Sequence, residues 1–564
     1  MVDMPPIQVP VGIRAGQWVT VESERTVLLV AHNVTTVTRL LDVVGAFDSD
    51  FRVQVVVTWS GSDPFHRDLT GFFADLGIVT VPWNEAVTTR FDLAIAASHH
   101  GGLTELNAPL VILSHGIGYT KYSPGKQENR KTGGRQTFGL SPQWLLYDGQ
   151  PIAEALVLSH PEQLARMEAS VPEAVHTAVV AGDPCFDRMR ASLRRRRHYR
   201  HLLGADEHRK VVVVSSTWSS HSVLGSWPDL LRQLLAELPI DDYRVVAIAH
   251  PNTWAGHGPW QLRTWLADCL RAGLVLVPPA EGWRAALIAA DCVIGDNGAT
   301  TCYGAALGRP TLLAAFPQDN VAVGSAVEVL GRLAPRLDRR RSLREQVESV
   351  ISRHGPDTFA EVAELVTSVP DESPQLLRSL FYRVLNLPEP PDEPKLWPVP
   401  VTGLPTGTAA APVSATLVST ELDIADRRAT LVRYPAEVQA HNLVRQEITG
   451  SHLVCHVDHP GRALRATADI LFAVEDELTG EPAQQWAAET LDRHPGCQLA
   501  AVIGSAHALV RTREGHTIEL TGTDPTRFAS VVYAWLSAGE PLRGLAGVVI
   551  VGGEAVHARL VDVD

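Results

Sequence analysis

Ala289-Ala290-Asp291-Cys292-Val293-Ile294-Gly295-Asp296-Asn297-Gly298-Ala299-Thr300-Thr301-Cys302-Tyr303-Gly304-Ala305-Ala306-Leu307-Gly308-Arg309-Pro310 is the stretch whose reading decides the fold. Residues 292–295 read as a short buried strand, 296–298 as a turn and 299–307 as a helix. Gly308-Arg309-Pro310 stops the helix and delivers the chain to another apolar run at 311–314. A strand, a turn, a helix and a further strand in so few residues form a parallel α/β unit. The first N–H groups of such a helix have no intrahelical partner. With the hydroxyls of Thr300 and Thr301 they make a site suited to the phosphate of a nucleotide.

The same alternation extends in both directions. Upstream, 210–215, 243–249 and 274–277 read as strands, with a helix at 230–238. Nearer the start, 26–31, 53–58, 78–82, 93–97 and 110–114 read as strands, with helices at 36–46 and 69–76. Continuous Val/Ile/Leu runs fit strands covered on both faces by helices. The chain therefore divides into an N-terminal extension (1–25), a first doubly wound domain (26–200) and a second (201–387). An amphipathic helix at 375–385 closes the second domain. A Pro- and Thr-rich linker spans 388–412, and a separate module with its own strands and a helix near 528–536 occupies 413–564.

Composition limits the function. The 564 residues are 45% hydrophobic and 20% charged, with 49 Lys plus Arg against 63 Asp plus Glu and a net charge of −14. That balance disfavours a dedicated nucleic-acid binder. The six cysteines form no CxxC pair and lie in apolar runs, which reads as reduced thiols in a cytoplasmic protein. No run reaches the ~18 apolar residues of a membrane span, and 1–12 lack the pattern of a secretory signal. The run Arg194–Arg197 is the candidate for phosphate or for anionic lipid in a peripheral membrane contact.

Ligands of doubly wound sheets bind beyond the carboxyl ends of the strands. The residues there are the candidates. His115-Gly116 follows the strand at 110–114, placing an imidazole where it can take a hydroxyl proton and a glycine where backbone can approach a ligand. His99 and His100 follow the strand at 93–97 and line the same cleft; two adjacent histidines without a carboxylate do not make a metal pair. His250-Pro251 ends the strand at 243–249, and its imidazole suits a phosphate oxygen. Thr217, in the hydroxyl-rich turn 215–220, suits the same ligand. Asp296, Asn297, Gly298, Thr300, Thr301 and Arg309 complete the donor side. In the final module His456, Asp458, His459 and Asp469 read as ordinary strand and loop polar residues.

These segments together resemble the GT-B fold of nucleotide-dependent transferases, and more narrowly the CDP-glycerol glycerophosphotransferase (teichoic-acid polymerase-like) family, over about 26–385. The family's His-Gly is matched by His115-Gly116. Its Gly-x-Pro-Arg-x-Asp is matched by Gly182-Asp183-Pro184-Cys185-Phe186-Asp187, with Cys185 in place of arginine. Its Pro-Thr-Trp is matched by Ser216-Thr217-Trp218, and its His-Pro by His250-Pro251. The last family element, Asp-Tyr-Ser-Ser with a later aspartate and Lys-Pro, is matched at its ends by Asp296 and Arg309-Pro310. Asn297, Gly298 and Ala299 replace Tyr-Ser-Ser, and Tyr303 replaces the aspartate. The spacing is similar also to the Asp-Ser-Gly-Gly segment of UDP-GlcNAc 2-epimerases.

The resemblance implies two Rossmann-like domains facing a cleft, with a separate C-terminal α/β (α+β) domain. It implies transfer of glycerol phosphate from CDP-glycerol to an acceptor hydroxyl, lipid- or polymer-linked, in envelope polymer synthesis. His115 is the implied base; His250, Thr217 and the 296–301 turn are the implied holders of the diphosphate. No metal or other cofactor is implied. Two other readings stay open at this point: a GT-B glycosyltransferase or epimerase acting on a nucleotide sugar such as UDP-GlcNAc, and a binding or scaffold protein that kept the cleft.

Overall fold

The computed structural model describes residues 11, 19–62, 69–123, 135–205, 207–402, 404, 413–442, 450–522, 524–545, 548–550 and 557–561. The start at 1–10, most of the N-terminal extension and part of the Pro-rich segment lie outside these residues.

The first lobe is built on β1 (Arg25–Ala31), β2 (Val53–Trp59), β3 (Thr80–Val81), β4 (Leu93–Ala96) and β5 (Leu110–Ile112). After a small hairpin, β6 (Leu146–Tyr147) and β7 (Gln150–Pro151), come β8 (Ala155–Leu158) and β9 (Ala178–Val180). The sheet order is β3-β2-β1-β4-β5-β8-β9, parallel at every pairing. The second lobe has β10 (Lys210–Ser216), β11 (Tyr243–Ala249), β12 (Val275–Val277), β13 (Cys292–Gly295) and β14 (Thr311–Leu313), in the order β12-β11-β10-β13-β14, also parallel. The apolar runs are buried as their composition demands: Val27, Leu28, Val30, Val211, Val212 and Val213 are all fully covered.

The third sheet comprises β15 (Ala415–Asp423), β16 (Arg428–Pro435), β17 (Ser451–His456), β18 (Ile470–Val474), β19 (Leu499–Ile503), β20 (His507–Thr512), β21 (Thr517–Thr521), β22 (Val549–Ile550) and β23 (His557–Val561). Its order is β22-β16-β15-β17-β18-β19-β20-β21-β23. Parallel pairs at β17-β18-β19 sit between antiparallel flanks, so this is a mixed sheet. Two facing doubly wound lobes and a separate third sheet are the GT-B-like architecture expected from the sequence.

Three expectations change. The helix Ser373–Leu385 does not belong to the second lobe by packing: Leu377, Leu380, Phe381, Tyr382 and Leu385 enter the first lobe's core, with Phe381 stacked on Phe47 at 5.6 Å. Its apolar stripe is legible in sequence, but the surface that receives it is not. The Pro-rich segment is not a loose tether where it is described. Val399 is fully buried, its N–H donates to Ser192 Oγ at 2.9 Å, and its carbonyl accepts from Tyr199 Oη at 2.8 Å. The arginine run is partly consumed within the protein, since Arg196 pairs with Asp291 at 2.5 Å, on the carboxylate that Arg200 also holds.

The third module docks on the second lobe. Arg433 forks onto Asp241 at 2.9 and 2.6 Å, Arg271 onto Glu437 at 2.8 and 3.1 Å, and Val438 joins the second lobe's core. Asp241 precedes β11, so the contact lies at the amino ends of the second sheet, away from the cleft. Among the described residues no helix is long and apolar enough to cross a membrane, and the six cysteines are buried and unbridged.

Candidate functional site

In each parallel sheet the strand order reverses between neighbours, β1/β4 in the first and β10/β13 in the second, and the region beyond their carboxyl ends is the crevice where ligands of such sheets bind. On the second side the crevice is built around Asp296, immediately after β13. Its Oδ2 accepts from Thr217 N–H and Thr217 Oγ1, both at 2.8 Å, and from Val223 N–H at 3.1 Å. Its Oδ1 accepts from Gly298 N–H at 3.1 Å. The carboxylate is fully buried. Asp296 and Thr217 therefore spend their polar atoms on each other and clamp the loops after β10 and β13 together.

Gly298 stands where no side chain fits, because a Cβ there would lie 2.5 Å from Thr217 Cγ2. Thr301 is also internal: its Oγ1 accepts from Asp296 N–H at 3.3 Å, and the side chain fills the space over Gly295. Asn297 is buried, whereas Thr300 is partly exposed at the first turn of the helix Ala299–Ala306, whose N-terminus carries no side-chain cap. Arg309 is not in the crevice. The intervening helix, ~12 Å long at 1.5 Å per residue, carries the chain to the other end of the sheet. There Arg309 lies within electrostatic reach of Arg196, Arg200 and Asp291, and burial with like charge lowers its pKa to about 10.

The two lobes meet at this point. A Cβ on Gly116, in the loop after β5, would approach Ala299 Cβ to 3.3 Å, so the His115-Gly116 loop lies against the turn that starts the Ala299–Ala306 helix. His115 is exposed, and its Nδ1 is 3.1 Å from the carbonyl of Ala97. A carbonyl only accepts, so Nδ1 carries the proton and the lone pair sits on Nε2. His250 caps the helix Pro251–His257 in the opposite tautomer. Its Nδ1 accepts from Asn252 N–H at 3.1 Å, which leaves the proton on Nε2. Burial first, then the charges of Lys121 and His115, hold the His250 pKa down to about 3, so it stays a neutral donor near neutral pH. The pair thus presents one basic and one donating nitrogen on facing lobes.

His99 and His100 enter an aromatic nest beside this point. The His99 ring is 6.1 Å from Tyr119 and 6.5 Å from Trp144, and His100 meets Trp144 edge-on at 4.7 Å. Burial, followed by the neighbouring histidines 115, 100 and 32, drives the His99 pKa to about 3.

Two features escape a reading by motif. Lys121, six residues beyond His115, reaches the crevice, where its charge acts on both Asp296 and His250. Behind the crevice a buried network ties the lobes. Arg39 donates to Asp183 Oδ1 and to Tyr303 Oη, both at 2.8 Å, and Tyr303 Oη donates to Asp183 Oδ2 at 2.6 Å. Arg284 donates to Asp42 Oδ2 at 2.9 Å and to Cys185 Sγ at 3.3 Å, so a guanidinium arrives in space beside the position where the resembled motif has its arginine. The only sequence signal for Lys121 is its place in the same post-strand loop; the network partners are 99 or more residues apart. Among the described residues no three His, Cys, Asp or Glu side chains form a metal-ligand set.

No protein-family model matches the chain. No curated protein matches it either. Among solved structures it is similar to the wall teichoic acid polymerase TagF, at 11% identity and a TM-score of 0.44, over 65% of this chain and 90% of that one. It is similar also to the UDP-GlcNAc 2-epimerase of Methanocaldococcus jannaschii in complex with UDP-GlcNAc and UDP, at 11% identity and 0.41, over 63% and 99% of the two chains. The S. aureus MnaA–UDP structure aligns at 11% identity and 0.40, over 66% and 100%. These are likenesses of fold.

Proposed function

We propose that the chain is a transferase that takes a group from a nucleotide-diphosphate-linked donor and passes it to an acceptor hydroxyl. One observation carries this reading: His115 and His250 face the same crevice from opposite lobes in complementary tautomers. Nε2 of His115 takes the acceptor proton, and the Nε2–H of the neutral His250 donates to the departing phosphate. The uncapped N-terminus of the Ala299–Ala306 helix adds backbone donors to the same anion. Asp296, Thr217, Gly298 and Thr301 act by shaping the loops, and Asn297 and Thr300 stand at the helix entrance. Catalysis on this account is positioning and charge stabilisation, and the reaction draws on no metal or other cofactor.

CDP-glycerol is the first donor to test. The acceptor oxygen then attacks the β-phosphorus, the bond from that phosphorus to the bridging oxygen breaks, and CMP leaves with the electron pair. UDP-GlcNAc and GDP-mannose are the comparison donors. A bound donor raises stability by RT ln(1 + [L]/Kd), about 2.7 kcal/mol at a hundredfold excess over Kd. Thermal unfolding with each donor, followed by assay of nucleotide release with lipid- and polymer-linked acceptors, tests the reading. His115→Ala is expected to lower turnover by at least ~10²-fold, the scale of general acid–base catalysis. Stabilisation by UDP-sugars alone would replace the glycerophosphate donor by a nucleotide sugar. Turnover indifferent to His115 and His250 would remove both assignments.

A further inference from the structure

The loop that carries His115 does not stop at the cleft edge; it crosses to the other lobe. Tyr122 N–H donates to the Asn320 carbonyl at 3.0 Å and Ala322 N–H to the Thr120 carbonyl at 2.9 Å, an antiparallel bridge centred on Lys121 and Val321. Val323 N–H adds a bond to Tyr122 Oη at 3.2 Å. From the first lobe, Phe138 N–H donates to the Lys121 carbonyl and Ser123 N–H to the Gln136 carbonyl, both at 2.9 Å. The backbone of Lys121 is therefore held by both lobes at once.

Its side chain is half-buried, and its charge lies close enough to Asp296 and His250 to act on each. Asp296 does not pair with it by contact; its Oδ2 takes three donors, two from Thr217 and one from Val223, and its Oδ1 takes Gly298 N–H. Among the described residues no carboxylate stands within ion-pair distance of Lys121. A cation drawn out of water is costly unless an anion meets it. Besides Asp296, whose oxygens serve the loop clamp, the group within reach is a donor, the neutral His250. A cation beside a donor suits an oxyanion.

We propose that Lys121 is the charge that binds the diphosphate of the ligand, and that the 120–122/320–322 bridge couples this binding to closure of the lobes. It rests on the proposed function only in taking the crevice as an anion site. The probe is inorganic pyrophosphate, titrated calorimetrically into the full chain, with CDP and UDP against cytidine and uridine as a second arm. Lys121→Gln is expected to weaken pyrophosphate at least tenfold, and Lys121→Arg to keep most of the affinity. Pyrophosphate is expected to slow amide exchange at Tyr122 and Ala322 in the wild type and not in Lys121→Gln. Tyr122→Phe, which leaves the ammonium in place, is expected to weaken pyrophosphate several-fold. Equal pyrophosphate affinity in wild type and Lys121→Gln, no binding by the wild type, or binding without protection of 120–122 overturns the proposal. If pyrophosphate binding depends on Lys121 while CDP and UDP bind no better than pyrophosphate, the nucleotide reading fails and the role of Lys121 stands.

Discussion

Replacing Asp296 by alanine removes the acceptor for four donors at one stroke: Thr217 N–H, Thr217 Oγ1, Val223 N–H and Gly298 N–H. Val223 and Gly298 are buried, so water does not easily replace the carboxylate there. A buried donor left without an acceptor costs about 1–3 kcal/mol. Partial rescue by water at the more accessible Thr217 brings the expected total to about 3–5 kcal/mol. Thr217→Val deletes one of the four bonds and is expected to cost about 1 kcal/mol. Asp296→Asn keeps an oxygen toward Thr217 but turns an NH2 toward Gly298 N–H, so it falls between the two. The loss concentrates in the loops after β10 and β13, and local hydrogen exchange is the assay: peptides covering 215–225 and 295–301 lose protection in the order Asp296→Ala, Asp296→Asn, Thr217→Val. Denaturant unfolding supplies the global ranking. Protection of these peptides in Asp296→Ala equal to the wild type would refute the clamp and return Asp296 to direct ligand contact.

Acid stability follows from the buried imidazoles. Histidine in the unfolded chain titrates near 6.5, whereas folded His99 and His250 titrate at about 3 and His452 at about 4. As pH falls from about 6.5 the unfolded state takes up protons that the folded state refuses, so stability declines toward pH 3. Thermal midpoints across this window are expected to show that decline, and His99→Gln to flatten it; an unchanged slope in the variant contradicts the assignment. At the lobe junction, Arg39→Ala leaves buried Asp183 without its cation and is expected to cost about 3–5 kcal/mol. Tyr303→Phe removes one neutral hydroxyl, which donates to Asp183 and accepts from Arg39, and costs about 1–3 kcal/mol; denaturant midpoints rank the two, and the reverse order refutes the hub. At the third module, Arg433→Ala breaks the fork onto Asp241 while Arg527 still pairs with it. Exchange is expected to rise at 238–242, with the cleft peptide 295–301 unchanged; a change at the cleft contradicts remote docking.

Much of this architecture is local in origin. The strands β10, β11 and β13 lie where runs of Val, Ile and Cys demanded cover on both faces, and β11 and β13 match the expected limits residue for residue. The strands β8 and β9 are absent from the reading. His115 and His250 fall beyond strand ends, and the sheet rule therefore places them at the crevice before any coordinate is known. Arg309 shows the limit of that rule: its motif neighbour is at the crevice, but a helix runs between them and exports it to the opposite end of the sheet.

Order along the chain therefore settles which residues end strands, because burial of an apolar run is a property of neighbouring positions. It also settles that there are two wound lobes. Partnership between distant residues is another matter. Whether Asp296 meets a ligand or clamps Thr217, whether Lys121 crosses to Val321, and whether the Ser373–Leu385 helix packs on the first or the second lobe depend on how two sheets face each other. Hydrogen bonds act over about 3 Å, and only packing brings groups separated by hundreds of residues to that range.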